Sequence, residues 1–130
     1  MENYFAKVKE YLLELEYEIS KENAEDQVLI IENEDNGIKN LVVGCADTVL
    51  IMEQFILELK APSAETYCRL LQFNREVVHG CFAIDETGKK VIFRDTHELE
   101  NLDLNELEAS LNSLGMVLTE HLDDLIAFAK

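Results

Sequence analysis

Basic residues are scarce in this sequence: 11 Lys and Arg stand against 27 Asp and Glu, which gives a formal net charge of −16. Proteins that bind nucleic acid gain most of their affinity from Lys and Arg placed on phosphates, and an anionic membrane surface repels an acidic chain. The charge therefore argues against nucleic acid and membrane as partners. It favours basic or neutral polypeptides or metal cations, and an acidity that only keeps a small protein soluble is the open alternative.

Long apolar runs and a signal peptide are also missing. No segment has enough consecutive apolar residues to cross a bilayer, and the N-terminus lacks the basic and apolar regions of a secretion signal. With 130 residues, of which 48% are hydrophobic, the chain is long enough for one buried core and too short for two. We expect a single globular domain over 1–130, located in the cytoplasm.

Catalytic and metal-binding motifs are absent as well. There is no GxGxxG, P-loop or GxSxG pattern. Residues 32–37 resemble the start of a calcium loop, but its twelfth position is Val43 where the loop needs Glu. Cys45, Cys68 and Cys81 have no CxxC spacing and lie in apolar patterns, as structural thiols do. We predict a non-enzymatic protein with no cofactor and no metal.

One enzymatic alternative stays open. His79 and Cys81 are two residues apart, so in a strand they would share a face. Such a pair could hold a metal ion, and Cys81 could act as a nucleophile with His79, His97 or His121 as its base. A small metal- or thiol-dependent enzyme using His79 and Cys81 is therefore a second hypothesis.

Hydrophobic periodicity predicts three helices. Apolar residues at three- and four-residue steps indicate a first helix over 3–20 and a second over 63–78. A third stripe starts after Asp103, which opens a capping box, and continues to near the C-terminus. Gly115 lies inside this stripe and marks a position where the helix could kink or break.

Short apolar runs separated by turn residues predict about five strands, and Asn36-Gly37 is the best hairpin signal among the turns. The element order α-β-β-β-α-β-β-α indicates an α+β fold in which an antiparallel sheet packs against helices. The third strand is apolar on both faces, which suits helices on one side and something else, such as a second subunit, on the other. The predicted strands are Val28–Ile31, Ile38–Cys45, Val49–Leu59, Cys81–Ile84 and Val91–Phe93.

The second helix has an unusually wide apolar surface. Its apolar positions cover about 220° of the circumference, whereas a surface helix needs only about 100°. Either the helix is deeply buried, or it packs both on its own sheet and on a partner. For the second case we predict an interface made by Tyr67, Leu70, Phe73 and Val77.

The element order and several short segments carry a resemblance to a known family. The chain resembles the class I type III secretion chaperones of the Tir-chaperone type, and the bacterial YbjN-like proteins that share their fold. In these families a helix that ends in a leucine-leucine-x-x-asparagine element precedes a hairpin of this kind. The segments concerned are Leu70–Asn74, Gly80–Asp85, Gly88, Val91–Arg94 and Leu102–Leu107.

The resemblance implies a function. Members of the chaperone class are typically homodimers that hold an extended segment of a client protein by strand addition or in a groove. The family has no catalytic or cofactor residues, and YbjN-like proteins are associated with regulation instead. We therefore predict an acidic, dimeric protein-binding module, either a chaperone with a client polypeptide or a regulatory adaptor that binds a folded partner.

Overall fold

The protein is represented by a computed structural model, which describes residues 3–130. The three longer helices are capped at their N-termini by the side chains of Asn3, Ser63 and Asp103. Each side chain accepts a hydrogen bond from the backbone N–H three residues later. The elements are α1 (Tyr4–Glu14), β1 (Glu18–Asn23), β2 (Val28–Asn33), a 3-10 turn (Glu34–Asn36), β3 (Ile38–Ala46), β4 (Val49–Glu58), α2 (Ala64–Asn74), β5 (Cys81–Ile84), β6 (Lys90–Glu98), α3 (Leu104–Glu120) and α4 (Leu122–Phe128).

The strands form one antiparallel sheet of six strands in the order β1-β2-β3-β4-β6-β5. The helices pack on one face of this sheet, and a single core cluster fills the space between them. Fully buried members of the cluster come from α1, the central strands and α3, among them Leu12, Leu50 and Leu107. The predicted α+β fold, an antiparallel sheet packed against helices, is confirmed.

The sequence prediction missed one strand. The first helix ends at Glu14 rather than near Ser20, because the chain turns at Glu16, whose φ is 66°. Ile19 fits the helical stripe, yet Tyr17 and Ile19 also fit a two-residue period. After the turn Tyr17 is buried and Ile19 lies in β1, so the end of the predicted first helix and the residues that follow it form an edge strand.

The two apolar faces of β4 have a structural cause. A bulge between Phe55 and Leu57 shifts the register, so that Leu57 joins Leu50 and Met52 on the buried face. Phe55 remains on the opposite face with 55% of its surface exposed. One face of β4 is therefore core, and the other is open to solvent.

The last helix breaks, although not at Gly115. α3 passes through Gly115 and ends at Glu120, and α4 starts after His121. A Cβ on Gly115 would lie 2.6 Å from the carbonyl oxygen of Asn36. Glycine at this position thus allows the 3-10 turn to pack directly on the helix.

Candidate protein-binding surfaces

Among residues 3–130, no helix covers one face of the sheet, which we call the sheet face. It carries Val42, Ile51, Phe55 and Ile92. Phe55 pairs with Ile92 across β4 and β6, and Val42 and Phe55 are 40% and 55% exposed. Exposed apolar side chains that cluster rather than scatter mark interaction surfaces. This face offers apolar contacts to a partner that lies across the strands.

An ion pair crosses the same face. Arg94 Nη1 hydrogen-bonds to Glu53 Oε1, and both side chains are about two-fifths exposed. The pair joins β4 to β6 next to Phe55 and Ile92, and an exposed pair of this kind adds little to stability. It does supply a donor and an acceptor beside the apolar patch, which suits a polypeptide partner.

A second surface lies between α2 and the edge strand β5; we call it the edge groove. It has a volume of about 360 Å³ and is lined by residues that include Leu71, Phe82 and Ile84. Leu71 is 70% exposed, although its helix neighbour Leu70 is buried. One apolar flank of α2 therefore faces solvent in the single chain.

The edge groove is partly closed by Asn74, the asparagine of the leucine-leucine-x-x-asparagine element. Its Oδ1 accepts a hydrogen bond from Phe82 N at 2.6 Å, and its Nδ2 donates to Phe82 O at 3.1 Å. These are the outward backbone groups of the edge strand, which a further strand would otherwise bind. Asn74 thus connects the C-terminus of α2 to β5 and occupies part of the free edge.

The four residues predicted for an interface have different environments. Leu70 and Phe73 are only 4% and 2% exposed, so their surface is already used within the chain. Tyr67 is half-buried and donates its hydroxyl to the carbonyl of Gly88 at 2.6 Å; Val77 is half-buried beyond the end of α2. Their role at an interface stays a prediction, in which Tyr67 and Val77 are the members with surface left for a partner.

Phe73 lies at the centre of an aromatic stack. The ring centroids of Phe73 and His121 are 3.9 Å apart, with an interplanar angle of 16°. The guanidinium carbon of Arg69 lies 4.9 Å from the Phe73 centroid. His121 Nε2 is also 3.5 Å from a carboxylate oxygen of Glu76. The stack joins α2 to the break between α3 and α4, which explains why Phe73 belongs to the core.

The structure separates the proposed enzymatic pair. β5 begins at Cys81, so His79 lies outside the strand, and Gly80 between them has a φ of 86°. Cys81 pairs with Arg94 and shares its side of the sheet, whereas the His79 ring is 6.4 Å from that of His97, on the helix-covered side. The expectation of a shared face is therefore wrong. Within 3–130 no cluster of three or more His, Cys, Asp or Glu side chains could hold a metal ion.

The thiols differ in environment more than the sequence suggested. Burial raises the pKa of the Cys45 thiol, as expected for a structural cysteine. Cys68 is exposed on α2, so its place in an apolar pattern did not make it a core residue. All three cysteines are free.

Residues that shape the surfaces were visible in the sequence but had no assigned role. In the sequence, Phe55 belongs to the two-faced third strand, and Leu71 and Asn74 belong to the leucine-leucine-x-x-asparagine element of the family resemblance. The outward side of β4 became clear through strand register, and the contact of Asn74 with β5 through tertiary packing. Between residues 3 and 130, none of the helices has the length and apolarity needed to span a membrane.

These features define an α+β class: a six-stranded antiparallel sheet with helices on one face and an apolar open face. Solved structures of this class include YbjN from E. coli, at a TM-score of 0.72 and 12% identity, with 92% of each chain covered. The ExoU–SpcU complex of Pseudomonas aeruginosa matches at 0.64 and 16%, covering 95% of this chain and 98% of the other. At these identities the likeness concerns the fold.

The sequence itself settles the family. The CesT_Tir_1 profile matches residues 1–130, so the chain belongs to this type III secretion chaperone family. The predicted resemblance to class I chaperones and YbjN-like proteins is confirmed. No curated protein matches the sequence.

Proposed function

We propose that this protein is a non-enzymatic, cytoplasmic chaperone or adaptor that holds an extended segment of a client polypeptide on its sheet face. The observation that carries the proposal is the exposed apolar cluster around Phe55 on a sheet face without helices. Family membership supports it, and relatives of the same fold were solved as the HopA1–SchA chaperone–effector complex and as the ExsC–ExsE complex.

The two sheet edges favour binding on the face over strand addition. At one edge the side chain of Asn74 already hydrogen-bonds to the outward N–H and C=O of Phe82. At the other edge β1 has a register shift between Ile19 and Lys21 and is largely charged or polar. Bulges, charged residues and side-chain contacts of this kind reduce strand pairing at an edge. Of the two modes that the family resemblance left open, we therefore propose binding to the apolar surface.

The client experiment uses a photo-crosslinking amino acid at position 55, with position 13 as the control. Leu13 on α1 is 54% exposed, nearly the same as Phe55, and lies on the helical side of the molecule. We expect crosslinks from position 55 to one segment of a client in native lysate and none from position 13. Equal labelling from both positions would refute a specific sheet-face site.

The crosslinked segment is then synthesised as a peptide. It should bind the wild-type protein and the Leu13→Asp variant alike, and bind Phe55→Asp at least about tenfold more weakly, the equivalent of about 1.4 kcal/mol. Unchanged binding to Phe55→Asp would contradict the proposal. If only the whole folded client binds, the regulatory adaptor replaces the chaperone as the function.

We also propose that two chains pair through α2 and the edge groove. The exposed flank at Leu71 supports this; of the predicted residues, Tyr67 is part of α2 and lines the edge groove, and Val77 follows the end of α2. Light scattering should show a dimer for the wild type and for Leu13→Asp, and a monomer for Leu71→Asp. A dimer that survives Leu71→Asp would place the interface elsewhere.

A further inference from the structure

We propose that a groove at the corner between α3 and α4 is a second binding site, which takes a basic polypeptide segment with a large apolar anchor side chain. This corner groove lies between the 3-10 turn and the C-terminal half of α3, and its volume is about 830 Å³. It is on the helical side of the sheet, so it is separate from the sheet face. The inference goes beyond the proposed function and can fail or stand independently of it.

Two glycines line the corner groove where the 3-10 turn meets α3. The carbonyl oxygen of Asn36 packs on Gly115, where a Cβ would lie only 2.6 Å from that oxygen. Gly37, with a φ of 75°, lies against Gly115. A Cβ on Gly37 would come 3.7 Å from Leu118 and 4.0 Å from the Cα of Gly115. The missing side chains let the turn pack directly on α3, and the corner groove lies beside this contact.

The wall of the corner groove is apolar and exposed. Met116 and Leu122 line it with 62% and 51% of their surface in solvent, and Leu118 lies half-buried between them. Methionine is flexible and polarisable, so it adapts to apolar side chains of different shapes. A leucine, methionine or phenylalanine from a partner would cover surface that the chain itself leaves open.

The rim of the corner groove is acidic. Glu34, Asp35 and Glu120 line it, and none of its described lining residues is Lys or Arg. Because the chain carries a formal charge of −16, the partner that complements this groove is basic. A second copy of the chain would bring like charge, and a nucleic acid or an anionic lipid would be repelled. The occupant that fits is therefore a segment with Lys or Arg beside its apolar anchor.

The test measures fluorescence anisotropy of a short peptide composed of leucine and lysine, with the leucines at helical spacing. A leucine–glutamate peptide and a lysine–serine peptide serve as probe controls. We expect the wild-type protein to bind only the leucine–lysine peptide. Failure to bind it, or equal binding of the lysine–serine peptide, would overturn the proposal, since the latter shows general charge attraction.

Matched variants locate the binding. Met116→Ala with Leu122→Ala should weaken binding about tenfold, whereas Leu13→Ala, an equally exposed leucine elsewhere, should leave it unchanged. Glu34→Gln with Asp35→Asn should reduce binding more than the control pair Glu25→Gln with Glu86→Gln, which removes the same charge from exposed turns. Equal losses in test and control variants would refute the site.

A direct readout uses the methionine methyl groups. The NMR methyl resonance of Met116 should shift on titration with the leucine–lysine peptide. Met52, which is 3% exposed beneath the helices, is the internal control and should not shift. A peptide that binds without moving the Met116 resonance would place its site outside the corner groove and overturn the inference.

Discussion

Asn74 hydrogen-bonds to the backbone of Phe82 in both directions, as the backbone of a neighbouring strand would. A side-chain amide offers a separate donor and acceptor, as the backbone of a strand residue does. One residue thereby fixes the end of α2, satisfies two outward groups of an edge strand and limits the pairing of that edge with other chains.

The first prediction concerns this contact. Asn74→Ala leaves the N–H and C=O of Phe82 without their partner and should lower the free energy of unfolding by about 1–3 kcal/mol. Asn74→Asp retains the acceptor but loses the donor, so the Phe82 carbonyl stays unpaired. Urea denaturation measures both, and Gln72→Ala, an exposed position on the same helix, is the control. No difference between Asn74→Ala and the control would contradict the role.

The second prediction concerns the glycine inside α3. Glycine to alanine within a helix normally stabilises by about 1 kcal/mol. Gly115→Ala should instead destabilise by about 1–3 kcal/mol, because the new methyl group meets the carbonyl oxygen of Asn36 at 2.6 Å. Gly44→Ala is the matched control, since its Cβ would meet only Val28 at 3.8 Å. If thermal unfolding shows Gly115→Ala to be more stable than the wild type, the close packing of Asn36 on Gly115 is contradicted.

The third prediction contrasts two phenylalanines. Phe73 is 2% exposed within an aromatic stack, so Phe73→Ala should cost about 3–5 kcal/mol of stability. Phe55 is 55% exposed on the sheet face, so Phe55→Ala should change stability by no more than about 0.5 kcal/mol. Chemical denaturation of both variants measures the difference. A similar loss in both would mean that Phe55 is buried, for instance by a second chain.

The fourth prediction concerns pH. A hydrogen bond from the Thr87 side chain, with further ones from backbone N–H groups of Lys90 and Thr87, lowers the pKa of Asp85 below its ordinary 3.8. A depressed carboxyl pKa contributes stability that is present above the ordinary value and is lost as pH falls through the lowered pKa. The stability difference between wild type and Asp85→Asn should therefore shrink as pH falls below 3.8.

The control for this effect is Thr87→Val, which removes the main cause of the shift. NMR titration of the Asp85 carboxyl should give a pKa closer to the ordinary value in Thr87→Val than in the wild type. An unchanged titration would show that the hydroxyl does not hold the carboxylate.

Several parts of the fold could be predicted from the sequence because their signals are local. The Ser63 and Asp103 caps, the Asn36-Gly37 turn and the hairpin at Gly88 each follow from residue chemistry over a few positions. The first strand was missed because Ile19 fits a helical and a strand period alike. The turn at Glu16, after which Tyr17 is buried, separates the two.

The sequence by itself determined the charge, the fold class and the family, since composition, periodicity and element order are properties of the chain in one dimension. Tertiary structure decided which apolar residues are surface. Leu70 and Leu71 are equally apolar neighbours, yet one is 4% and the other 70% exposed. Periodicity states which residues share a face, but whether that face meets the core or solvent depends on how distant segments pack against it.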